Sequence, residues 1–326
     1  MARSWTQTTI FTYWTVTMPK FQMVSKTAIF LLAMCLSSSL AVGWMSYLSS
    51  KNTLEAQTFN NLTAIQAART AEIERYLEQI AHRIQTLSEN PTTIAALQVF
   101  AQAYGALQQG SDAAALNASA LTAPNSPIDR FYREIFLPEL SQAMNASTTV
   151  TALGQLDIAA LMPRDPAASY LQHHYIAANA NAAGEKHLLA RAINDNSGYA
   201  NAHANYHPTF RSFLEKFNYY DIFLVDSQNG DIVYSVSKET DFATSLKTGP
   251  YRNSNLAKAF QLANQPDLPG DTFFVDFEPF LPSFNAPAAF IASPIYTDGQ
   301  QVGVVIFQIP VNRINDVMTG GEHWSK

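Results

Sequence analysis

The run from Thr27 to Leu48 (TAIFLLAMCLSSSLAVGWMSYL) holds 22 residues and no charge, and it narrows what the rest of the chain can be. About 20 apolar residues, rising 1.5 Å each in a helix, cross the hydrocarbon of a bilayer. Trp44 and Tyr47 lie near one end, where amphipathic rings favour the interface, and Lys20 and Lys26 flank the other. The positive-inside rule then leaves residues 1–26 as a cytoplasmic tail and puts everything after Leu48 outside. A cleaved signal peptide is the competing reading. Its apolar run would be longer than usual, and no clean A-x-A site follows it. Met18 and Met23 are alternative starts, and no second apolar run of this length follows.

The single cysteine, Cys35, falls inside this run, so no intramolecular disulfide or zinc cluster can be built from it. Leu32-Ala33-Met34-Cys35 loosely matches a lipobox, but Met34 stands where a small residue is needed. An ordinary membrane-helix residue is the preferred reading. Charge is uneven along the chain. Up to residue 54 there are four basic residues and no acid, whereas the whole chain carries a net −6. An acidic body does not suit nucleic acid, whose affinity comes from neutralising phosphates with a basic surface.

After the membrane run, Ser50 to Glu89 favours a helix, with Ile73, Leu77, Ile80, Ile84 and Leu87 at steps of 4, 3, 4 and 3. That seam packs against the rest of the outer region, or against a second copy in a homodimer. Asn90-Pro91 ends it. Helices are expected over 92–108, 127–144, 157–161, 166–178 and 184–194, with a loop over 110–127. Residues 49–198 are therefore mainly helical. From Tyr199 the texture changes. A helix over 208–217 leads to a strand over 219–225, a turn cluster at Asp226–Asp231 and a returning strand over 232–236. A helical connection over 253–263 precedes strands over 272–278, 288–296 and 301–309, the last two joined at Asp298-Gly299. This order describes an α+β fold, a five-stranded antiparallel sheet flanked by helices.

Ser293-Pro294-Ile295-Tyr296, then Asp298-Gly299 and Gly303-Val304-Val305, resembles the closing hairpin of the Cache family, the PAS-like extracellular sensor modules of bacterial receptors. Phe223-Leu224-Val225-Asp226 with Asn229-Gly230 and Ile232-Val233-Tyr234 is similar to the family's opening hairpin. The resemblance, of the double-Cache type, covers about residues 50–318 and makes 199–318 the sensor module. It implies a small ligand on one face of the sheet, an anchor in the inner membrane and a periplasmic body. It also implies a return helix leading to a chemotaxis, kinase or cyclase output domain. The sequence departs there, ending with 319–326 as a truncated tail.

By this resemblance the ligand connection follows the second strand. Lys238, Asp241, Thr244, Ser245, Tyr251 and Arg252 lie there, and Tyr234 and Phe277 would supply aromatic walls. Arg252 suits a carboxylate, and Asp241 or Asp276 would accept from an ammonium. The alternative is that these are solvated loop charges. His203 and His207 have the spacing of a metal pair on a helix. However, Pro208 follows directly, so His207 reads as the cap of a helix opening at Pro208, and no third ligand is placed. Tyr206, Arg211 and Phe213 partly match an amino-acid-binding element of the family but precede the strands. With Phe210, Leu214 and Phe217, Phe213 reads as a packing stripe instead. No phosphate loop, dinucleotide turn or nucleophile elbow is present. The expected function is periplasmic ligand sensing without catalysis, cofactor or metal. A truncated receptor acting only as a dimerisation partner is the rival, and a periplasmic hydrolase the remote third.

Overall fold

The computed structural model describes residues 20–111, 118–145, 157–265 and 270–319. Most of the expected cytoplasmic tail (1–19), the middle of the 110–127 loop (112–117) and the expected tail from 320 onward lie outside the described residues. The protein is α+β, with a long N-terminal helix, several shorter helices and one five-stranded antiparallel sheet. It divides into two compact units, Met1–Ala68 and Arg69–Lys326.

Helix α1 (Lys20–Ser88) supplies the described part of the first unit. Ile29, Phe30, Leu32, Leu40, Trp44 and Tyr47 are all exposed on it. By length and composition this helix can cross a membrane. The serines that dilute its apolar character turn inward on its own backbone. Ser37 donates to the Met34 carbonyl and Ser38 to that of Cys35, which satisfies their hydroxyls without water.

In the second unit the seam on α1 faces the protein's own core. Ile80, Ile84 and Leu87 are buried there, and Leu77 packs at its edge. Asn90 caps the next helix, α2 (Pro91–Gln108), by accepting from Thr92 N–H at 2.8 Å. Short helices follow: α3 (Ala118–Leu121), then α4 (Pro127–Arg130), which runs through a π-turn (Phe131–Phe136) into α5 (Leu137–Asn145). After them come α6 (Ile158–Leu161) and α7 (Pro166–Gln172), the latter closed by a second π-turn (His173–Ala177).

The 110–127 loop contains the short α3, and two of the expected helices need correction. The helix expected over 184–194 is a single 3₁₀ turn, Lys186–Leu188. Gly184 and Asn194 both take left-handed backbone, which ends regular helix at each side. The helix expected to open at Pro208 instead begins ten residues earlier, as α8 (Gly198–Phe217), with Pro208 inside it. Ser197 caps it, accepting from Ala200 N–H at 3.2 Å. Tyr199, His203, His207, Phe210 and Leu214 form one buried face along it. That packing holds the helix through the proline, whose lost hydrogen bond falls on an exposed side. His207 is therefore mid-helix and caps nothing.

Asn218, in left-handed backbone, ends α8, so the first strand begins at Asp221 rather than Tyr219. The strands are β1 (Asp221–Asp226), β2 (Ile232–Ser235), β3 (Phe273–Phe280), β4 (Ala286–Thr297) and β5 (Gln300–Pro310), in the spatial order β2-β1-β5-β4-β3. Pro279 is tolerated because β3 is an edge strand. Alternate side chains divide between two faces. Ile222, Leu224, Ile291, Val305 and Phe307 join the core built by α1, α2, α7 and α8. Phe223, Val225, Phe290, Val304 and Ile306 pack on α9 (Asn255–Ala263), chiefly against Leu256 and Phe260. Gly303 lets α2 approach β5. A Cβ there would lie 2.5 Å from Leu97 Cδ2 and 2.6 Å from the Val225 carbonyl oxygen. Helix α10 (Val311–Thr319) follows β5.

Candidate functional site

At the end of the β1–β2 hairpin the chain turns back over the face of the sheet that packs on α2 and α8, carrying an unusual density of charge into the core. Asp221 Oδ1 accepts from the N–H groups of Ile222, Val236 and Ser237 at 2.6, 2.8 and 3.0 Å, and Oδ2 accepts from Ser235 Oγ at 2.9 Å. Burial pushes its carboxyl up to about 6, opposed by the Ser237 N–H and the charge of Lys238. Lys238, in left-handed backbone, donates its ammonium to the Ser235 carbonyl. The same nitrogen lies 4.5 Å from the ring centre of Tyr234, 5.2 Å from that of Phe242 and 6.0 Å from that of Tyr175. Burial lowers the ammonium to about 7, and Asp221 opposes that shift. Glu239 is tied by Tyr220 Oη at 2.6 Å and Ser283 Oγ at 2.5 Å. Asp241 is fully buried, and among the described residues neither of its carboxylate oxygens has a hydrogen-bond partner; burial, then the charges of Glu239 and Asp221, hold it well above the usual carboxylate range.

Four side chains pin the arch that carries these residues. Gln172 Nε2 donates to the carbonyls of Thr240 and Phe242 at 3.0 and 2.8 Å, and Tyr104 Oη donates to that of Ala243 at 3.0 Å. Tyr251 Oη donates to Thr240 Oγ1 at 2.7 Å, and Tyr132 Oη reaches Gln172 Oε1 at 2.9 Å. The two α8 histidines stack behind Tyr234, ring centres 4.3 Å apart. His207 Nε2 lies 2.7 Å from the His187 carbonyl, which can only accept, so this nitrogen carries the proton. Its Nδ1 then accepts from Tyr234 Oη at 2.7 Å. His203 Nδ1 donates to the Ala190 carbonyl at 3.0 Å in the same way. Burial, reinforced by Lys238, lowers His207 to about 3 and His203 well below its ordinary value. Among the described residues no group of three His, Cys, Asp or Glu is placed to hold a metal.

Beyond the far end of this arch lies a recess of about 450 Å³, walled by α2, the segment from α6 into α7, and the β2–α9 connection. Its charged lining comprises Asp165, Asp231, Arg164 and Arg252. Asp165 is committed: Oδ1 caps α7 through the N–H groups of Ala167 and Ala168, and Oδ2 accepts from Gln108 Nε2 at 2.9 Å. Asp231 is not. It is 6% exposed, and among the described residues its carboxylate takes part in no hydrogen bond or ion pair. Burial, then the neighbouring charges of Asp165 and Asp226, push it up to about 6. Arg164 and Arg252 are exposed, and Arg252 Nη1 donates to the Gly249 carbonyl at 3.2 Å.

The residues that the sequence nominated are thus divided by the fold. Lys238 and Asp241 sit in the buried arch, and Tyr234 and Tyr251 are buried against it. Arg252, with Thr244 and Ser245, lines the recess. Asp276 and Phe277 lie apart on edge strand β3, the first exposed and the second half-buried. Asp231, Asp165, Arg164 and Tyr104 escaped notice. Asp231 reads in sequence as the last residue of a turn cluster, and Asp165-Pro166 as a helix start.

No protein-family model matches the chain, and no curated protein matches it. Among solved structures, the sensor domain of the V. cholerae histidine kinase DctB aligns at 14% identity with a TM-score of 0.29. The alignment covers 59% of this chain and 61% of that one.

Proposed function

We propose that the chain is a membrane-anchored, ligand-sensing receptor portion that binds a small amine-bearing molecule in the recess beside Asp231. The observation that carries this reading is a buried carboxylate without a partner among the described residues, lining a cavity of about 450 Å³. Ligand pockets span about 300–1,000 Å³ and orient their occupants with a few polar groups. An unpaired buried carboxylate is costly by itself and is relieved by a cation, so Asp231 favours an ammonium. The exposed arginines, Arg164 and Arg252, suit a ligand that also carries a carboxylate. The chain binds its ligand rather than converting it. The α1 span holds it in the inner membrane, the second unit faces the periplasm, and ligand binding biases the arrangement of α1 and α2.

A thermal-shift screen against amino acids, amines and organic acids tests the reading. A binder at about 100 times its Kd adds roughly 2.7 kcal/mol of stability. Asp231→Asn is expected to abolish the shift and Arg252→Ala to weaken it for carboxylate-bearing ligands. An undiminished shift in Asp231→Asn would refute the assignment. A screen with no hits would favour the dimerisation-partner reading, with which the side-chain-filled sheet face agrees.

A further inference from the structure

Lys238 carries an ammonium almost wholly out of water. It is 2% exposed, and it belongs to none of the ion pairs among the described residues. Removing an ammonium from water costs several kcal/mol, whereas methionine would fill a similar volume at no such cost. The surroundings are those of a cation receptor. Tyr234, Phe242 and Tyr175 present rings within about 6 Å of the nitrogen, the range over which an aromatic quadrupole attracts a cation. The Ser235 carbonyl accepts from it, and Asp221, held by its own hydrogen bonds, attracts it. The backbone at Lys238 takes φ 59°, a conformation that residues with a Cβ seldom adopt. The strain is accepted at the position from which the side chain reaches the rings.

We propose that the sheet face carries a built receptor for a primary alkylammonium and that Lys238 of the same chain is its resident ligand. A cleft of about 20 Å³, lined in part by Lys238, Glu239, Lys186 and Phe131, adjoins the box. That volume admits about one water, so a metabolite does not displace the lysine as the chain stands. The box therefore holds permanently the cation that a free amine would otherwise supply, and an outside ligand is left to the recess. The two sites share the arch from Lys238 to Thr244, since Ala243 and Thr244 wall the recess. Occupancy of the box fixes that wall.

Chemical rescue of the whole 326-residue chain in detergent tests this without using the recess. Lys238→Gly relieves the backbone strain and deletes four methylenes and the ammonium, the shape of n-butylammonium. The variant is expected to melt several degrees lower. Added n-butylammonium chloride should restore the melting temperature saturably, at least tenfold more tightly than any effect on the parent chain. The uncharged n-butanol and sodium chloride should not. Equal rescue by n-butanol, or no rescue of a folded variant, would show a mere spacer and overturn the proposal. Should Lys238→Gly fail to fold, the parent chain decides by NMR with labelled lysine. The Lys238 ε-methylene is expected upfield of the other lysines through ring currents, its amine charged at pH 6. An unshifted or neutral Lys238 would overturn the proposal as well.

Discussion

Two buried ionisable residues, Asp231 and Lys238, face opposite problems. Lys238 has rings, a carbonyl and a carboxylate around it, whereas Asp231 has a cavity. The folded carboxyl of Asp231, near 6, lies above its ordinary 3.8, so between those values the folded state keeps a proton that the unfolded state has lost. Its contribution to stability is full below 3.8 and is lost as pH rises through 6. Asp231→Asn should therefore be more stable than the parent at pH 8, by about 1–2 kcal/mol after allowing for solvent screening. Denaturant unfolding at pH 8 and pH 4 checks this, and the gap should close at the lower pH. For the same reason amine binding should weaken about tenfold per unit below pH 6 as the carboxylate takes up its proton, which calorimetry across pH 5–8 would show. Gain of stability with loss of binding is the expected mark of a residue kept for function. Neither role is written in the sequence, because an Asp at the end of DSQNGD looks like any turn residue until the helical segments close over it.

At the scale of elements, local rules were readable and their failures are specific. The Asp298-Gly299 hairpin, the strand pairs and the Pro91 and Pro166 helix starts follow from turn chemistry and capping. Pro208 misled because proline propensity is a local preference, and the buried face of α8 outweighs it. Gly303 illustrates the reverse. In sequence it belongs to a hairpin motif, while in the fold it is the point where Leu97 of α2 meets β5. Gly303→Ala should cost about 2 kcal/mol or more, because one of the clashing atoms is a backbone carbonyl that cannot swing away. Combining it with Leu97→Ala should give less than the sum of the two single losses, and a double-mutant cycle by denaturant unfolding measures that coupling. A loss near zero, or strict additivity, would contradict this packing account.

For the whole molecule, the heptad-like seam on α1 presented a choice between a partner chain and the protein's own core. Ile80, Ile84 and Leu87 take the second option, which leaves the segment before Arg69 as the part of α1 outside that core. A chain beginning at Arg69 should accordingly unfold in one cooperative transition by circular dichroism and stay in the supernatant after ultracentrifugation. The chain with Thr27–Leu48 should sediment with membranes and resist carbonate extraction. Extraction of the full chain, or a molten fragment, would go against this division. The sequence alone determined the apolar span, the order of the strands and the two-faced sheet, because these depend on hydrophobic period and turn residues within a few positions of each other. Only the tertiary structure decided that Lys238 is buried among aromatic rings and that Asp231, unpaired among the described residues, lines a separate recess. Burial and missing partners arise from segments 60 to 140 residues apart, such as Asp165 with Asp231 and Tyr104 with Ala243, and no local pattern encodes them.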